Sequence, residues 1–346
     1  MIKIQRQVTL APYTTLKIGG PARFFVVVKN LEDLKEALNW AREKKVAIFI
    51  LGGGSNVLIT KPFPGLVIKN EITGSQVSKE TAKSVWLTAY SGENWQKFVT
   101  TSVRQEWYGL ENLASIYGTV GAAPVQNIGA YGQELKDVFY SLEAINLKTG
   151  ELKVFKGADC HFGYRDSVFK RALKGKYFIY RVTVKLSKEP RLNLNYGGLQ
   201  EILTAKKITT PTAKTVAESV TELRLSKLPT PAIFPNAGSF FKNPEVSEAK
   251  FKKIQKQWPE IKYFSGSQPG MIKIPAGWLI EQAGFKGKRF GAVGMYEKQA
   301  LILVNYGGAT AAQVLAQVKR VIKEVYKRFG LTLEPEVNII PPLTKK

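Results

Sequence analysis

Few residues in this chain are equipped for chemistry. In PNAGSFFKNP (235–244), Ser239 stands between a small, flexible Asn-Ala-Gly run and two phenylalanines, with Lys242 and Asn243 behind. A hydroxyl so placed is either a turn residue or a proton donor held against something flat. The sole cysteine, Cys160, and the sole histidine, His161, are adjacent. Neighbours on an extended segment face opposite ways, and no further histidine or cysteine can complete a metal or nucleophile site. An internal disulfide and a cysteine-cluster metal site are excluded, and Cys160 reads as core. Near the C-terminus, Glu334 and Glu336 stand two apart in LEPEVNII, on one side of an expected strand.

Two glycine loops offer a place for a cofactor. LGGGSN (51–56) follows an apolar run, and its glycines let a ligand approach the backbone closely. Consecutive amides of this kind can form an anion nest suited to phosphate. The loop is neither a Rossmann fingerprint nor a P-loop. The second, SIYGTVGAAPVQNIGAYGQEL (115–135), sets Gly118, Gly121, Gly129 and Gly132 among small residues around Gln126 and Asn127, with no charge before Gln133. That uncharged backbone suits a large planar cofactor with carbonyl and amide edges. Together the loops point to a diphosphate-linked flat ring, and a flavin dinucleotide fits better than a mononucleotide.

The elements that must carry these groups alternate at first. Residues 23–28 read as a strand, 31–45 as a helix with Leu31, Leu34, Leu38 and Ala41 on one face, and 46–51 as a strand. That order suggests an α/β layer with a parallel component. A strand at 84–90, a helix at 93–107, and strands near 138–147, 151–155 and 177–186 give the middle an α+β character. Helices are expected at 212–229, 247–257 and 276–283, and a strand at 299–305. The strongest helical pattern is 309–330, with Val314, Val318, Val321, Ile322 and Val325 on one face and a stop at Gly330. The last strand is expected over 331–340.

At 346 residues the chain is long enough for two or three domains. Its longest apolar runs are strand-sized, short of the roughly 20 residues a membrane helix needs, so no membrane insertion is expected. The N-terminus has no apolar export segment, which points to the cytoplasm. The formal net charge is +24. Its lysines are spread along the chain without a block of like charge, so a solvated basic surface outweighs a nucleic-acid site, and no nucleic-acid partner is expected.

TLKIGGPARFF, LGGGSNVLI, GTVGAAPVQNIGAYGQEL, FGYRDSVFK, NAGSFFKNP, AGWLIEQAGFKG and LEPEVNII occur in this order across nearly the whole chain. Together they resemble the UDP-N-acetylenolpyruvoylglucosamine reductase family (UDP-N-acetylmuramate dehydrogenases), in its larger subtype with a tyrosine loop. The resemblance implies an α+β chain: a two-subdomain FAD-binding fold of the vanillyl-alcohol oxidase type plus a C-terminal α+β substrate domain. It would be laid out as 1–75, completed by a C-terminal strand at 331–346, then 76–225 and 226–330. It implies noncovalent FAD, NADPH as co-substrate, and reduction of the enolpyruvyl ether of UDP-N-acetylglucosamine-enolpyruvate to a lactyl ether.

On that resemblance Arg165, Ser239 and Glu336 form the catalytic trio. Gly52, Gly53, Gly54, Ser55 and Asn56 take the FAD pyrophosphate. Ser115, Gly118, Thr119, Gly121, Gln126, Asn127, Gly129 and Tyr131 wrap the rest of the cofactor. Tyr196, Lys227, Asn243, Lys286 and Gln299 hold the substrate, and Tyr263 closes over it, with Phe264 as the alternative. No metal is implied. The chemistry leaves negative charge on a carbon beside a carboxylate, which the planar fork of Arg165 can clamp. A serine suffices as donor because that carbanion is very basic. Two other readings stand beside this one. A flavin oxidase of the same fold would tether its flavin through His161, which lies outside both loops. A nucleic-acid binder is suggested by charge alone.

Overall fold

The fold, described by a computed structural model over residues 2–341, divides into two units. One takes Ala22–Gly53 and Phe63–Ser226 together with the segment ending at Val8. The other takes Thr9–Pro21, Gly54–Pro62 and the residues from Lys227 onward.

The first unit holds a parallel-centred sheet, an antiparallel sheet and a two-stranded ribbon, Gly129–Ala130 with Gln133–Glu134. The strands Pro21–Val28, Phe63–Asn70 and Ile48–Leu51 run parallel, in the order Gln5–Thr9, Pro21–Val28, Phe63–Asn70, Ile48–Leu51. The helix Leu31–Glu43 starts where the Asn30 side chain accepts the Asp33 amide at 2.8 Å, the usual role of an N-cap asparagine. It buries Leu34, Ala37, Leu38 and Ala41 against Val26, Val28, Leu66 and Ile68. The strand Phe63–Asn70 was not expected from the sequence, because it begins Phe-Pro-Gly, residues that weaken a strand signal.

The second sheet of this unit is antiparallel, ordered Leu152–Lys156, Phe139–Asn146, Tyr177–Ser187, Ser84–Tyr90, Ser75–Glu80. Its inner face, with Val85, Leu87, Val182 and Val184, buries Trp95, Phe98 and Val99 of the helix Trp95–Arg104. Around residue 160 the expected extended segment is instead a helical turn, Gly157–Cys160, which His161 ends in a left-handed conformation. Cys160 is fully buried, and burial pushes its thiol up to about 12. It is core, as its residue type suggested.

The second unit is built on the helix Ala311–Phe329. Thr310 and Gln313 form a reciprocal capping box, and Gly330 ends the helix at φ 64°. Val314, Val318, Val321, Val325 and Phe329 enter a core shared with Phe240, Phe241, Leu279 and Leu303. A four-stranded sheet, ordered Asn236–Ser239, Ile302–Asn305, Val293–Met295, Arg289–Phe290, lies in this unit. The last strand is shorter than expected: Asn338–Ile340 pairs in parallel with Val57–Ile59, while residues 331–335 make one isolated bridge, Phe241 to Pro335. Pro335 has no amide to extend a ladder. Residues 342–346 of the expected C-terminal strand lie outside the described residues. Among the described residues no helix is long and apolar enough to cross a membrane.

Candidate active site

The two glycine loops, far apart in sequence, meet in the first unit. A Cβ at Gly53 would lie 2.9 Å from the Gly118 Cα, and one at Gly52 would lie 2.6 Å from the Thr119 hydroxyl. Glycine is therefore needed here for the approach of one loop to the other. Gly118 adopts φ 133°, and its carbonyl accepts the Trp95 amide at the start of a helix. Several of the expected site residues that are not glycine adopt the left-handed region: Ser115 (59°), Asn127 (44°), Tyr131 (50°) and Arg165 (52°). Such strain is held only where surrounding contacts over-determine it, and it gathers at functional sites.

Those contacts are specific. Asn127 is fully buried; its amide donates to Glu134 Oε2 (3.0 Å) and to the Gly163 carbonyl (3.1 Å), while its Oδ1 accepts the Lys136 amide (2.9 Å). Its side chain thus ties the glycine loop to the turn that presents Arg165. Arg165 Nη2 donates to the Gly129 carbonyl at 2.6 Å. Lys170 reaches both Gln126 Oε1 (3.4 Å) and the Arg165 carbonyl (3.3 Å). Ser115 Oγ lies 2.8 Å from Thr221 Oγ1, and a Cβ at Gly121 would collide with Ser91.

Tyr131 and Tyr196, assigned separately to cofactor and substrate, touch edge to face at 4.9 Å. Between Tyr131 and the Ser115 carbonyl sits a guanidinium the sequence reading missed, that of Arg224, whose Nε donates to Ser115 at 3.0 Å. Burial lowers its pKa; the Tyr131 phenol opposes this through charge and a hydrogen bond, Tyr117 opposes it more weakly, and Arg165 adds like-charge repulsion. Burial in turn raises the Tyr131 phenol. Asn112 is also buried there, its amide donating to the Tyr131 and Asn193 carbonyls at 2.8 Å each. Nothing in the sequence around Arg224 marks it, because a lone arginine on a helix is ordinarily a solvated residue.

The second unit carries Ser239, Glu336 and the other expected substrate residues from Lys227 onward. Ser239 pairs with Ile302 and Asn236 with Val304, so the serine strand carries one extra residue. Gly238, at φ 72° with open space around it, supplies the conformation that this bulge requires and re-aims the serine. The Asn236 side chain accepts the Gly238 amide at 2.9 Å and donates to the Phe234 and Pro229 carbonyls. Phe240 and Phe241 are both core residues, so they anchor the turn beneath Ser239. The Glu336 amide donates to the Phe240 carbonyl at 2.8 Å, which sets Glu336 one residue across from the serine. Glu336 is 9% exposed, whereas the Glu334 side chain is 76% exposed and pairs with Lys242 at 3.7 Å. Two residues expected to share one environment therefore differ, and the buried one is Glu336.

Other expected substrate residues have partners of their own. Asn243 Oδ1 accepts the Ala276 amide at 2.8 Å, opening the helix Ala276–Gln282. Lys286 pairs with Glu281 at 2.7 Å. Gln299 Oε1 accepts the Leu301 amide at 3.3 Å and lies 2.8 Å from where a Cβ at Gly277 would stand. Lys227 ends the helix Ala213–Lys227 and is exposed. Tyr263 is 52% and Phe264 55% exposed; the Tyr263 ring leans on Phe251 at 4.7 Å, while Phe264 is held in a short strand opposite Lys273. In the first loop, the Gly54 carbonyl accepts the Thr15 amide at 3.1 Å and the Asn56 carbonyl accepts from Asn338 at 3.1 Å; Ser55 lies between them.

An uncharged, glycine-lined backbone suits a planar ring joined to a diphosphate, with backbone amides free to meet the ring edges and the phosphates. The residues present thus fit a flavin dinucleotide. Comparison with known proteins agrees. Residues 22–156 match a family described as an FAD binding domain. A solved solvent-stable cholesterol oxidase shares the fold at a TM-score of 0.50 and 10% identity, over 97% of this chain and 87% of its own. The class is therefore that of α+β flavoproteins with the two-subdomain FAD-binding fold and a separate C-terminal domain.

Residues 229–340 match the UDP-N-acetylenolpyruvoylglucosamine reductase, C-terminal domain. The UDP-N-acetylenolpyruvoylglucosamine reductase of Flavobacterium johnsoniae is 45% identical over 98% of this chain and 100% of its own length. The solved UDP-N-acetylenolpyruvylglucosamine reductase of Thermus caldophilus aligns with a TM-score of 0.69 and 26% identity, over 98% of this chain and 99% of that one. The chain belongs to the UDP-N-acetylenolpyruvoylglucosamine reductase family.

Proposed function

We infer that this chain is an NADPH-dependent flavoenzyme that reduces the enolpyruvyl ether of UDP-N-acetylglucosamine-enolpyruvate to UDP-N-acetylmuramate, a step of peptidoglycan precursor synthesis. The observation that carries this is the 45% identity to a reductase of that name over that relative's full length. When bound, FAD would be held noncovalently and, once reduced by NADPH, would supply the hydride. Gly52, Gly53, Gly54, Ser55 and Asn56 would hold its pyrophosphate, and the 115–132 loop would wrap the remainder.

The chain's own side chains manage charge and the proton. Arg165 clamps the substrate carboxylate with its planar fork, and Glu336 shares a hydrogen bond with the same group. Negative charge growing on the adjacent carbon is stabilised because those donors are already in place. Ser239 gives its hydroxyl proton to that carbon, needing only proximity, orientation and exclusion of water. Tyr196, Lys227, Asn243, Lys286 and Gln299 hold the UDP-sugar, and Tyr263 covers it. The division into 1–75 with the C-terminal strand, 76–225 and 226–330 is our proposed domain assignment. We place the protein in the cytoplasm, where NADPH and nucleotide sugars are made.

The experiment is NADPH oxidation followed anaerobically, with and without the enolpyruvyl UDP-sugar. Turnover that requires the sugar supports the reading. Oxidation of NADPH that ignores the sugar overturns it.

A further inference from the structure

Lys69 breaks a pattern. The strand Phe63–Asn70 is central among parallel neighbours, paired with Pro21–Val28 on one side and Ile48–Leu51 on the other. Its Leu66, Val67 and Ile68 are completely buried, as such a strand requires. A lysine at the next position, in register with both Val27 and Leu51, must be explained by what its ammonium does. It does not run out to solvent: Nζ donates to the Gly52 carbonyl at 2.8 Å. Burial lowers the pKa of this amine, opposed by the charge of Glu71.

The consequence is geometric. The Gly52–Gly53 peptide is trans, so its carbonyl and N–H point in opposite directions. Holding the Gly52 oxygen on the Lys69 side turns the Gly53 N–H to the other face of the loop. Without side chains, residues 52–54 have no intrinsic preference for that orientation, so the peptide needs an external clamp. A charge-assisted bond also polarises the peptide and strengthens its N–H as a donor to an anion.

We propose that Lys69 is a positioning residue for the cofactor diphosphate, acting through the Gly52 carbonyl to aim the Gly53 amide at the anion. This rests on the reading of LGGGSN as the pyrophosphate site. Lys69 touches neither substrate nor reacting atoms, and its effect is confined to the phosphate end of the ligand.

The test is equilibrium binding to the deflavinated full chain, followed by flavin fluorescence, with FAD and with riboflavin as probes. Lys69→Met keeps the stem and loses the donor; Lys69→Arg keeps the donor. The Met variant is expected to weaken FAD binding about tenfold, the scale of one oriented charge-assisted bond, with riboflavin affinity unchanged and the Arg variant restoring most of the loss. The melting temperature of the deflavinated Met variant is expected to be no lower than the parent's, because a partly buried ammonium is removed. Equal losses for FAD and riboflavin, a drop in melting temperature parallel to the binding loss, or unchanged FAD affinity would each overturn the role of Lys69. Should the parent itself bind riboflavin as tightly as FAD, the pyrophosphate site is misassigned instead.

Discussion

Ser239 is defined by four neighbours: a left-handed glycine before it, two core phenylalanines after it, and the backbone of Glu336 alongside. Its motif was legible because small and aromatic residues flank it in the sequence. Its aim was not, because that depends on one extra residue in the strand relative to Ile302 and Val304. Replacing it with alanine removes the proton and little else. Ser239→Ala is expected to keep flavin reduction by NADPH fast while slowing reoxidation by the enolpyruvyl sugar about a hundredfold or more. Stopped-flow absorbance separates the two half-reactions; unimpaired reoxidation would remove the serine from the mechanism. The two phenylalanines are anchors, since both are buried in the core. Arg224 escaped notice because only folding brings it to Ser115 and Tyr131.

The glycine loops have their meaning as a pair of elements. Gly53 faces Gly118 backbone to backbone, so a methyl group cannot be absorbed by a rotamer change. Gly53→Ala is expected to destabilise the protein by about 1–3 kcal/mol and to weaken FAD retention, seen as flavin released from the purified variant in a thermal-shift and filtration assay. Gly54 is tighter still: it sits at φ 64°, and a Cβ would strike the Tyr13 carbonyl.

A second local element carries a pH signature. Burial raises the Glu111 carboxyl, against the pull of the backbone amides of Gly109, Glu111 and Leu110. A raised folded value means the folded chain binds the proton more tightly, so its contribution to stability is present at low pH and is lost as pH rises above the ordinary carboxylate value. The melting temperature of Glu111→Gln relative to the parent is therefore expected to increase with pH from about 4.5 upward. A pH-independent difference would refute this. Strands and helices with strong apolar periods were legible at this scale, including the helix Ala311–Phe329. The helix Gly197–Ala205, which opens on two glycines, and the strand Phe63–Asn70 were not, because their breakers suppress the local signal while tertiary contacts supply the stability.

For the molecule as a whole, the charge of +24 acts as a field. FAD, NADPH and the UDP-sugar are polyanions, so diffuse lysines raise their local concentration without forming a site. Raising the salt from about 20 to 300 mM shortens the screening length severalfold. The KM for NADPH is expected to rise about threefold to tenfold over that range while kcat changes little, measured as initial rates at fixed pH. A salt-independent KM would show that the net charge plays no part in capture.

The order of the seven motifs, the glycine content of two loops and the apolar periods of the main helices are properties of the chain read in one dimension. They determined the family, the flavin and the candidate site residues. Burial and register are properties of three dimensions. Only the fold decided that Glu336 is buried while Glu334 is exposed, that Gly53 meets Gly118, and that a strand lysine grips the Gly52 carbonyl. Each of these follows from pairing between segments far apart along the chain, and no local pattern of residue types encodes such pairing.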